Sequence, residues 1–211
     1  MVEKVDLPRR LMPAMILAGG RSRRMGGGDK GLLQLGDRPI LGHVIERIRP
    51  QVGALALNAN GDPARFATFG LAVIADPVPG FAGPLAGMLA ALSWAAEIAP
   101  EATHVLTVPS DTPFLPRDLV ARLQSGIREP GDSVMAARQG RRHPVVGLWP
   151  VGCYDALEIA VRREGLRKMA AWTERVDTRV VSFDDGAADP FFNVNAPNDL
   201  AAARDLLAIN S

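Results

Sequence analysis

Five glycines and four cations fall within the run Leu17-Ala18-Gly19-Gly20-Arg21-Ser22-Arg23-Arg24-Met25-Gly26-Gly27-Gly28-Asp29-Lys30. Glycine removes the Cβ that would keep backbone N–H groups away from phosphate oxygens, and Arg and Lys neutralise a ligand carrying several negative charges. Placed directly after an apolar strand, the two features together predict a cradle for a nucleoside triphosphate.

Three other readings of this loop can be weighed by position. Gly26-Gly27-Gly28-Asp29-Lys30-Gly31 formally matches the dinucleotide fingerprint G-x-G-x-x-G. That fingerprint begins at the strand end, lacks cations and needs an acidic residue about twenty positions on. Here the strand ends near Ala18, and Gln51 and Val52 stand where the acid should be. A Walker loop requires Ser or Thr after the Lys, but Lys30 is followed by Gly31. The remaining alternative is a solvated surface loop rich in Gly and Arg.

Further polar residues cluster at predicted strand ends. Asp111, in Pro109-Ser110-Asp111-Thr112-Pro113, follows the apolar run Val105–Val108. A hard carboxylate there suits Mg²⁺, which takes one or two protein oxygens and completes its octahedron with phosphate and water. The competing role for Asp111 is to cap a helix starting near Pro116 or to close a turn. Asn58, Asp76, Asn193 and Asn195 stand at other strand ends or beside turn residues, and are expected to share one crevice with Asp111. Pro79-Gly80-Phe81-Ala82-Gly83-Pro84-Leu85-Ala86-Gly87 opens a helix whose free N–H groups could meet an anion or whose small residues could pack on the sheet.

The elements that must position these residues alternate between short apolar runs and amphipathic stretches. This pattern predicts a single-domain, three-layer α/β/α fold with a mostly parallel, Rossmann-like sheet. Strands are expected at Ala14–Ala18, Ala54–Asn58, Leu71–Ala75, Val105–Pro109, Ser133–Ala137, Val145–Trp149 and Val176–Phe183. Helices are expected at Leu41–Arg49, Pro84–Ala96, Pro116–Ser125, Gly152–Arg163, Gly165–Thr173 and Pro197–Ala208. Pro84, Pro116 and Pro197 each suit a first helical position, where the missing N–H costs nothing. In such a sheet the ligand crevice lies at the carboxyl ends of the strands.

The chain has 211 residues, 47% of them hydrophobic, enough for one domain with a substantial core. A net charge of +1 is too small for a general nucleic-acid or membrane-surface binder, so the expected anionic partner is small. Cys153, the single cysteine, excludes an internal disulfide and agrees with a reducing, cytoplasmic compartment. Residues 1–13 carry Glu3, Lys4, Asp6, Arg9 and Arg10 and read as a loose leader, not a signal peptide, with the domain proper at 14–211. His43, His104 and His143 show no metal-ligand spacing.

Taken together, Leu17–Gly20, Arg24–Gly27, Asp29-Lys30, Gly83–Gly87, Asp111-Thr112-Pro113-Phe114, His143-Pro144 and Asn193-Val194-Asn195 resemble the molybdenum cofactor guanylyltransferase family, from Ala14 to about Leu207. The glycine-rich start is common to a wider nucleotidyltransferase superfamily. The resemblance implies transfer of GMP from GTP to the phosphate of the molybdopterin cofactor, with Mg²⁺ as cofactor and pyrophosphate released. It implies that Leu17, Ala18, Gly19 and Gly20 line the nucleotide, that Lys30 holds phosphate, and that Asn58 and Asp76 contact the guanine nucleoside. Asp111 would bind both nucleotide and Mg²⁺, with Asn195 as a second metal-side oxygen. Arg24, Lys30 and Asp111 form the expected catalytic set. One cation–phosphate pair about 4 Å apart, at an effective dielectric near 20, is worth on the order of 4 kcal/mol before desolvation.

The N-terminal part is then expected to bind GTP and the C-terminal part the pterin, with Gly83, Gly87, Arg167, Asn193 and Asn195 on the pterin side. Arg138, Arg141, Arg142 and His143 form one basic cluster, and Arg162, Arg163, Arg167 and Lys168 another. Apart from Arg167, a solvated helix face is the simpler role for these cations. Apo-molybdoenzymes and other cofactor-biosynthesis proteins are the further partners the resemblance allows; nucleic acid and membrane are not expected. Open alternatives are a cytidylyl- or sugar-phosphate nucleotidyltransferase of the same superfamily and a non-catalytic GTP-binding module that delivers the cofactor. The ending Asn195-Ala196-Pro197-Asn198 departs from the usual Thr-Pro-Glu and removes a helix-capping hydroxyl.

Overall fold

A computed structural model describes residues 12–18, 29–78, 80, 83–186 and 188–209, with side chains as far as residue 208. Its centre is β1 (Pro13–Leu17), buried along its whole length. The strand is apolar on both faces because both are covered. Ala14 and Ile16 point into one core layer and Met15 and Leu17 into the other, the period-two alternation of a strand.

β1 pairs in parallel with β4 (Ala54–Asn58) on one side and β6 (His104–Pro109) on the other, and β4 pairs in parallel with β5 (Ala72–Ile74). Beyond β6 lie β8 (Arg141–Pro150), β7 (Val134–Arg138) and β9 (Arg179–Ser182), giving the order β5-β4-β1-β6-β8-β7-β9. Only β8 runs against the others. A separate two-stranded hairpin, β2 (Gln34–Leu35) and β3 (Arg38–Pro39), leads directly into the first helix.

Helices α1 (Ile40–Ile48) and α3 (Leu119–Gln124) cover one face with Leu41, Val44, Ile48, Leu119, Val120 and Leu123. The other face carries α2 (Pro84–Ile98), α4 (Tyr154–Arg162) and α5 (Met169–Arg175). α2 is apolar nearly all round because it lies between the sheet and the outer α4. Trp149 and Trp172 are fully buried here, as packing residues. The last helix, α6 (Pro197–Ile209), closes a third small core of Leu35, Ile40, Phe114, Val194 and Ala203. The predicted three-layer fold is observed.

The expected elements differ from the observed ones in several places. β1 begins at Pro13, and Met12 is already buried, while residues 1–11 lie outside the described residues. α3 begins at Leu119, three residues after Pro116, whose carbonyl instead accepts from Leu119 N and from Gln51 Nε2. The expected strand at Val176–Phe183 shortens to β9 because α5 runs to Arg175 and Asp177 turns with φ 46°. Between Ala54–Asn58 and β5, a 3₁₀ helix at Pro63–Phe69 is capped by Asp62, whose Oδ1 accepts from Ala64 N at 2.9 Å.

β8 is longer than expected because a bulge interrupts it. Met135 pairs with Gly147 but the next residue, Ala136, pairs with His143, so 144–146 loop out. Pro144 has no N–H for a ladder and falls in this bulge. Thr107 pins it, donating to Val145 O at 2.8 Å while accepting from Trp149 Nε1 at 2.7 Å. The free end of the β7–β8 hairpin thereby rises at the carboxyl end of β6, beside the crevice.

Candidate active site

The parallel ladder continues past the strand ends and fixes the loops that follow. Ala18 N donates to Asn58 O (2.9 Å), Ala59 N to Ile74 O (3.1 Å) and Ser110 N to Leu17 O (3.1 Å). Leu17, Ala18, Asn58, Asp76 and Asp111 therefore stand along one edge of the sheet. Gly19, Gly20 and Arg24 lie outside the described residues.

The first group at this edge surrounds Lys30 and Asp111. Lys30 Nζ donates to Asn195 Oδ1 at 2.5 Å and lies 3.9 Å from Asp111 Oδ2. A Cβ at Gly31 would sit 3.3 Å from Ser110 O and 3.3 Å from Leu41 Cβ, so glycine lets the exit of the loop approach the Asp111 turn. This is also the position where a Walker loop would carry a hydroxyl. Asp111 does not cap a helix: the residue before α3 is Asp118. Burial pushes the Asp111 carboxyl above the usual carboxylate range; the Lys30 ammonium, its own backbone amide and the Asn193 side chain pull it back.

An irregular strap, residues 189–195, crosses the mouth of the sheet and touches the site with every second residue. Asp189 Oδ1 lies 3.9 Å from Arg138 Nε, and the Phe191 ring packs 4.5 Å from that of His143. Asn193 hydrogen-bonds Asp111, Val194 N donates to Asp111 O at 2.9 Å, and Asn195 accepts from Lys30. Asp199 anchors the end of the strap: its Oδ2 accepts from Asn195 N and Ala196 N, both at 2.8 Å. This carboxylate is one half of a capping box, and Ala196 O takes the other half, accepting from Asp199 N at 3.0 Å where the missing hydroxyl would have done so.

The second group surrounds Asp76. Asn58 Nδ2 donates to Ile74 O and to Asp76 Oδ1, both at 3.0 Å. Asn60 Nδ2 donates to Asp76 Oδ2 at 2.7 Å, and its Oδ1 accepts from Asp76 N at 2.9 Å. Gly87, in the first turn of α2, faces this group: a Cβ there would collide with Asn58 Oδ1 and lie 3.2 Å from Leu17 Cδ2. Sequence reasoning missed Asn60. Its signal was the spacing Asn58-x-Asn60, which puts two amides on one side of a strand end.

The third group is Gly83, the residue before α2, and Arg167. A Cβ at Gly83 would lie 3.7 Å from Arg167 O. The Arg167 guanidinium turns back to donate to Val161 O (3.2 Å) and Leu166 O (3.1 Å). The residues expected on the pterin side thus divide: Asn193 and Asn195 stand with Asp111 and Lys30, Gly87 with Asn58, and Gly83 with Arg167.

The two basic clusters also separate. Arg138, Arg141, Arg142 and His143 belong to the β7–β8 hairpin and not to a helix face. Arg138 is buried and clamps the chain ahead of the strap, donating to Phe183 O (3.1 Å) and Gly186 O (3.0 Å). Arg162 pairs with Glu158 along α4 and donates to Pro77 O at 2.9 Å. Burial pushes the Cys153 thiol up to about 12, so it stays protonated and supplies no nucleophile.

Residues 14–178 match the family model of the MobA-like NTP transferase domain. A relative from Rhodopseudomonas palustris (strain HaA2), named molybdenum cofactor guanylyltransferase, is 53% identical over 92% of this chain and 91% of its own. The chain belongs to the molybdenum cofactor guanylyltransferase family. A second member of the family, from Bradyrhizobium sp. (strain ORS 278), is 50% identical over 94% of each chain. The crystal structure of molybdopterin-guanine dinucleotide biosynthesis protein A from Archaeoglobus fulgidus shares the fold, with a TM-score of 0.73 over 94% of this chain and all of that one, at 23% identity. Among the described residues no helix is long and apolar enough to cross a membrane.

Proposed function

We propose that this chain transfers GMP from GTP to the phosphate of the molybdopterin cofactor, releasing pyrophosphate and leaving the guanine dinucleotide form of the cofactor, in the cytoplasm. The observation that carries this reading is the placement of Lys30 between Asn195 and the partly buried Asp111 carboxylate, at the carboxyl edge of the sheet. Family membership supplies the substrates.

The reaction joins two anions, so the site must supply positive charge and alignment more than covalent chemistry. Lys30 is rigidly placed for this, since Gly31 packs on Ser110 and Asn195 holds its ammonium. In our reading it holds triphosphate oxygens, Arg24 adds a second cation, and Asn58 and Asp76 receive the guanine nucleoside. The strap through Asn193 and Asn195 and the Gly83–Arg167 corner are the pterin-facing surfaces.

Asp111 fits Mg²⁺. Its carboxylate is hard, partly buried and at a strand end, and Mg²⁺ needs only one or two such protein oxygens beside phosphates. Asn195 Oδ1 is the second oxygen at this place and is bonded to Lys30 in this arrangement. When bound, the ion would neutralise charge on the triphosphate. Asn193 orients Asp111 for that role.

The test is thermal unfolding with Mg²⁺ and GTP, CTP, ATP or UTP in turn, followed by pyrophosphate release in the presence of molybdopterin. A ligand at a hundred times its Kd adds about 2.7 kcal/mol, or roughly 5–10 °C for a chain of this size. Stabilisation by GTP alone and GTP-dependent pyrophosphate release support the reading. Stabilisation by CTP alone moves the reaction to cytidylyl transfer, and binding without pyrophosphate release moves the protein to a delivery role.

A further inference from the structure

Asn60 makes two reciprocal hydrogen bonds to one residue. Its Nδ2 donates to Asp76 Oδ2 at 2.7 Å and its Oδ1 accepts from Asp76 N at 2.9 Å, so one amide fixes both the carboxylate and the backbone beneath it. The opposite carboxylate oxygen is held by Asn58 at 3.0 Å. A carboxylate clamped from both sides cannot rotate, yet each of its oxygens retains a lone pair.

The clamp has a brace. Arg65 Nη2 donates to Asn60 O at 2.6 Å, its Nη1 donates to Asp62 O, and its Nε reaches Asp29 Oδ2 at 2.5 Å. The guanidinium lies 4.5 Å over the ring of Phe66, which is buried. Asp29 directly precedes Lys30. A chain of hydrogen bonds therefore runs from the phosphate-side lysine turn, through Arg65 and Asn60, to Asp76.

A fixed, acceptor-only carboxylate distinguishes nucleobases. The guanine edge presents two adjacent donors, N1–H and N2–H, that can meet both oxygens, whereas cytosine and adenine each place an acceptor nitrogen beside their single amino group. We propose that Asn60 is a positioning residue that sets nucleobase selectivity by locking the Asp76 carboxylate, with Arg65 as its brace. This rests on the reading of Asp76 as the guanine-facing group.

The experiment is calorimetric titration of Mg²⁺ with GTP, ITP or CTP into the parent chain, Asn60→Ala and Asn60→Asp. ITP lacks the N2 amino group. The parent should prefer GTP over both others. Asn60→Ala should bind GTP about tenfold more weakly, the loss expected for one charge-assisted hydrogen bond, while CTP changes less than about twofold and GTP and ITP become equal. Asn60→Asp should be worse than Asn60→Ala for GTP, because it sets a second carboxylate against Asp76. If Asn60 only shaped the turn before Gly61, Asp would serve as well as Asn. Melting temperatures without nucleotide should fall by only a few degrees, because the Asn60 bonds are solvent-exposed. A parent that prefers GTP, with Asn60→Ala keeping that preference or losing GTP and CTP equally, overturns this inference alone. A parent with no preference for GTP removes the guanine reading and this inference with it.

Discussion

At the ends of β4 and β5, Asn58, Asn60 and Asp76 hold one another through three hydrogen bonds of 2.7–3.0 Å. At the strap and β7–β8 hairpin, His143 Nε2 and Asn193 Oδ1 are buried with no hydrogen-bond partner among the described residues. The other two such atoms, Trp172 Nε1 and Thr178 Oγ1, also lie in the second half of the chain. Among the described residues, the side we assign to the nucleotide is thus closed by the chain itself, and its groups are presented in fixed directions. The strap side buries polar atoms that a ligand could still satisfy, and each unpaired one costs about 1–3 kcal/mol. The contrast suits a two-substrate transferase: one substrate is selected by a preset frame, and the other gains most by completing what it meets.

Lys30 stands where the two sides join, so its loss should have the largest effect. Lys30→Ala removes the donor to Asn195 and, in the proposed reading, a cation from the triphosphate, and should lower turnover by at least about 10²–10³-fold, the scale for removing one preorganised electrostatic group. It also leaves the partly buried Asp111 without its 3.9 Å partner, so the Asp111 carboxyl should titrate higher in the variant, as ¹³C NMR would show. Asp111→Asn should lose turnover comparably together with the response to Mg²⁺. Pyrophosphate release near the parent rate in Lys30→Ala would place the phosphate cation elsewhere.

A smaller effect is expected inside the finished frame. Gly87→Ala places a methyl group against Asn58 Oδ1, which must shift and take its bond to Asp76 with it. Overpacking of this kind costs about 1–3 kcal/mol. The expected outcome is a lower melting temperature and weaker GTP binding, measured by thermal unfolding with and without GTP. Unchanged GTP affinity would show that the Asn58–Asp76 frame is softer than its hydrogen bonds suggest.

The same contrast explains what could be read from the residues in order. The apolar runs of β1, β4 and β6, Pro84 and Pro197 at helix starts, and the polar residues after each strand are local signals, and the architecture followed from them. Asn60 and Arg65 were missed because their partners, Asp76 and Asp29, come from other elements 16 and 36 residues away. Arg138 looked like a surface cation because its charge is local information, whereas the Phe183 and Gly186 carbonyls that bury it are not. The strap had no hydrophobic period to announce it. Its alternation of Asp189, Phe191, Asn193 and Asn195 acquires meaning only against the sheet edge.

The smallest effect tests the strap side against a histidine at the opposite end of the sheet, where β6 begins. His104 Nε2 meets Asp132 O at 3.0 Å and its Nδ1 meets Thr103 Oγ1 at 2.9 Å, whereas His143 Nε2 has no partner among the described residues. Burial lowers the pKa of both below 6.5. The unfolded chain therefore takes up these protons more readily, so the stability they contribute is present above about pH 6.5 and is lost as the pH falls through their folded values. Replacing either with Phe should flatten that decline in urea unfolding between pH 7.5 and 5.5. At pH 7.5 the two replacements should part. His104→Phe strands the Asp132 carbonyl and the Thr103 hydroxyl and should destabilise by about 1–3 kcal/mol, while His143→Phe keeps the stack on Phe191, removes an unpaired atom and should be neutral or stabilising. Equal losses would mean that His143 is as well satisfied as His104, and that the strap side leaves no polar group unpaired there.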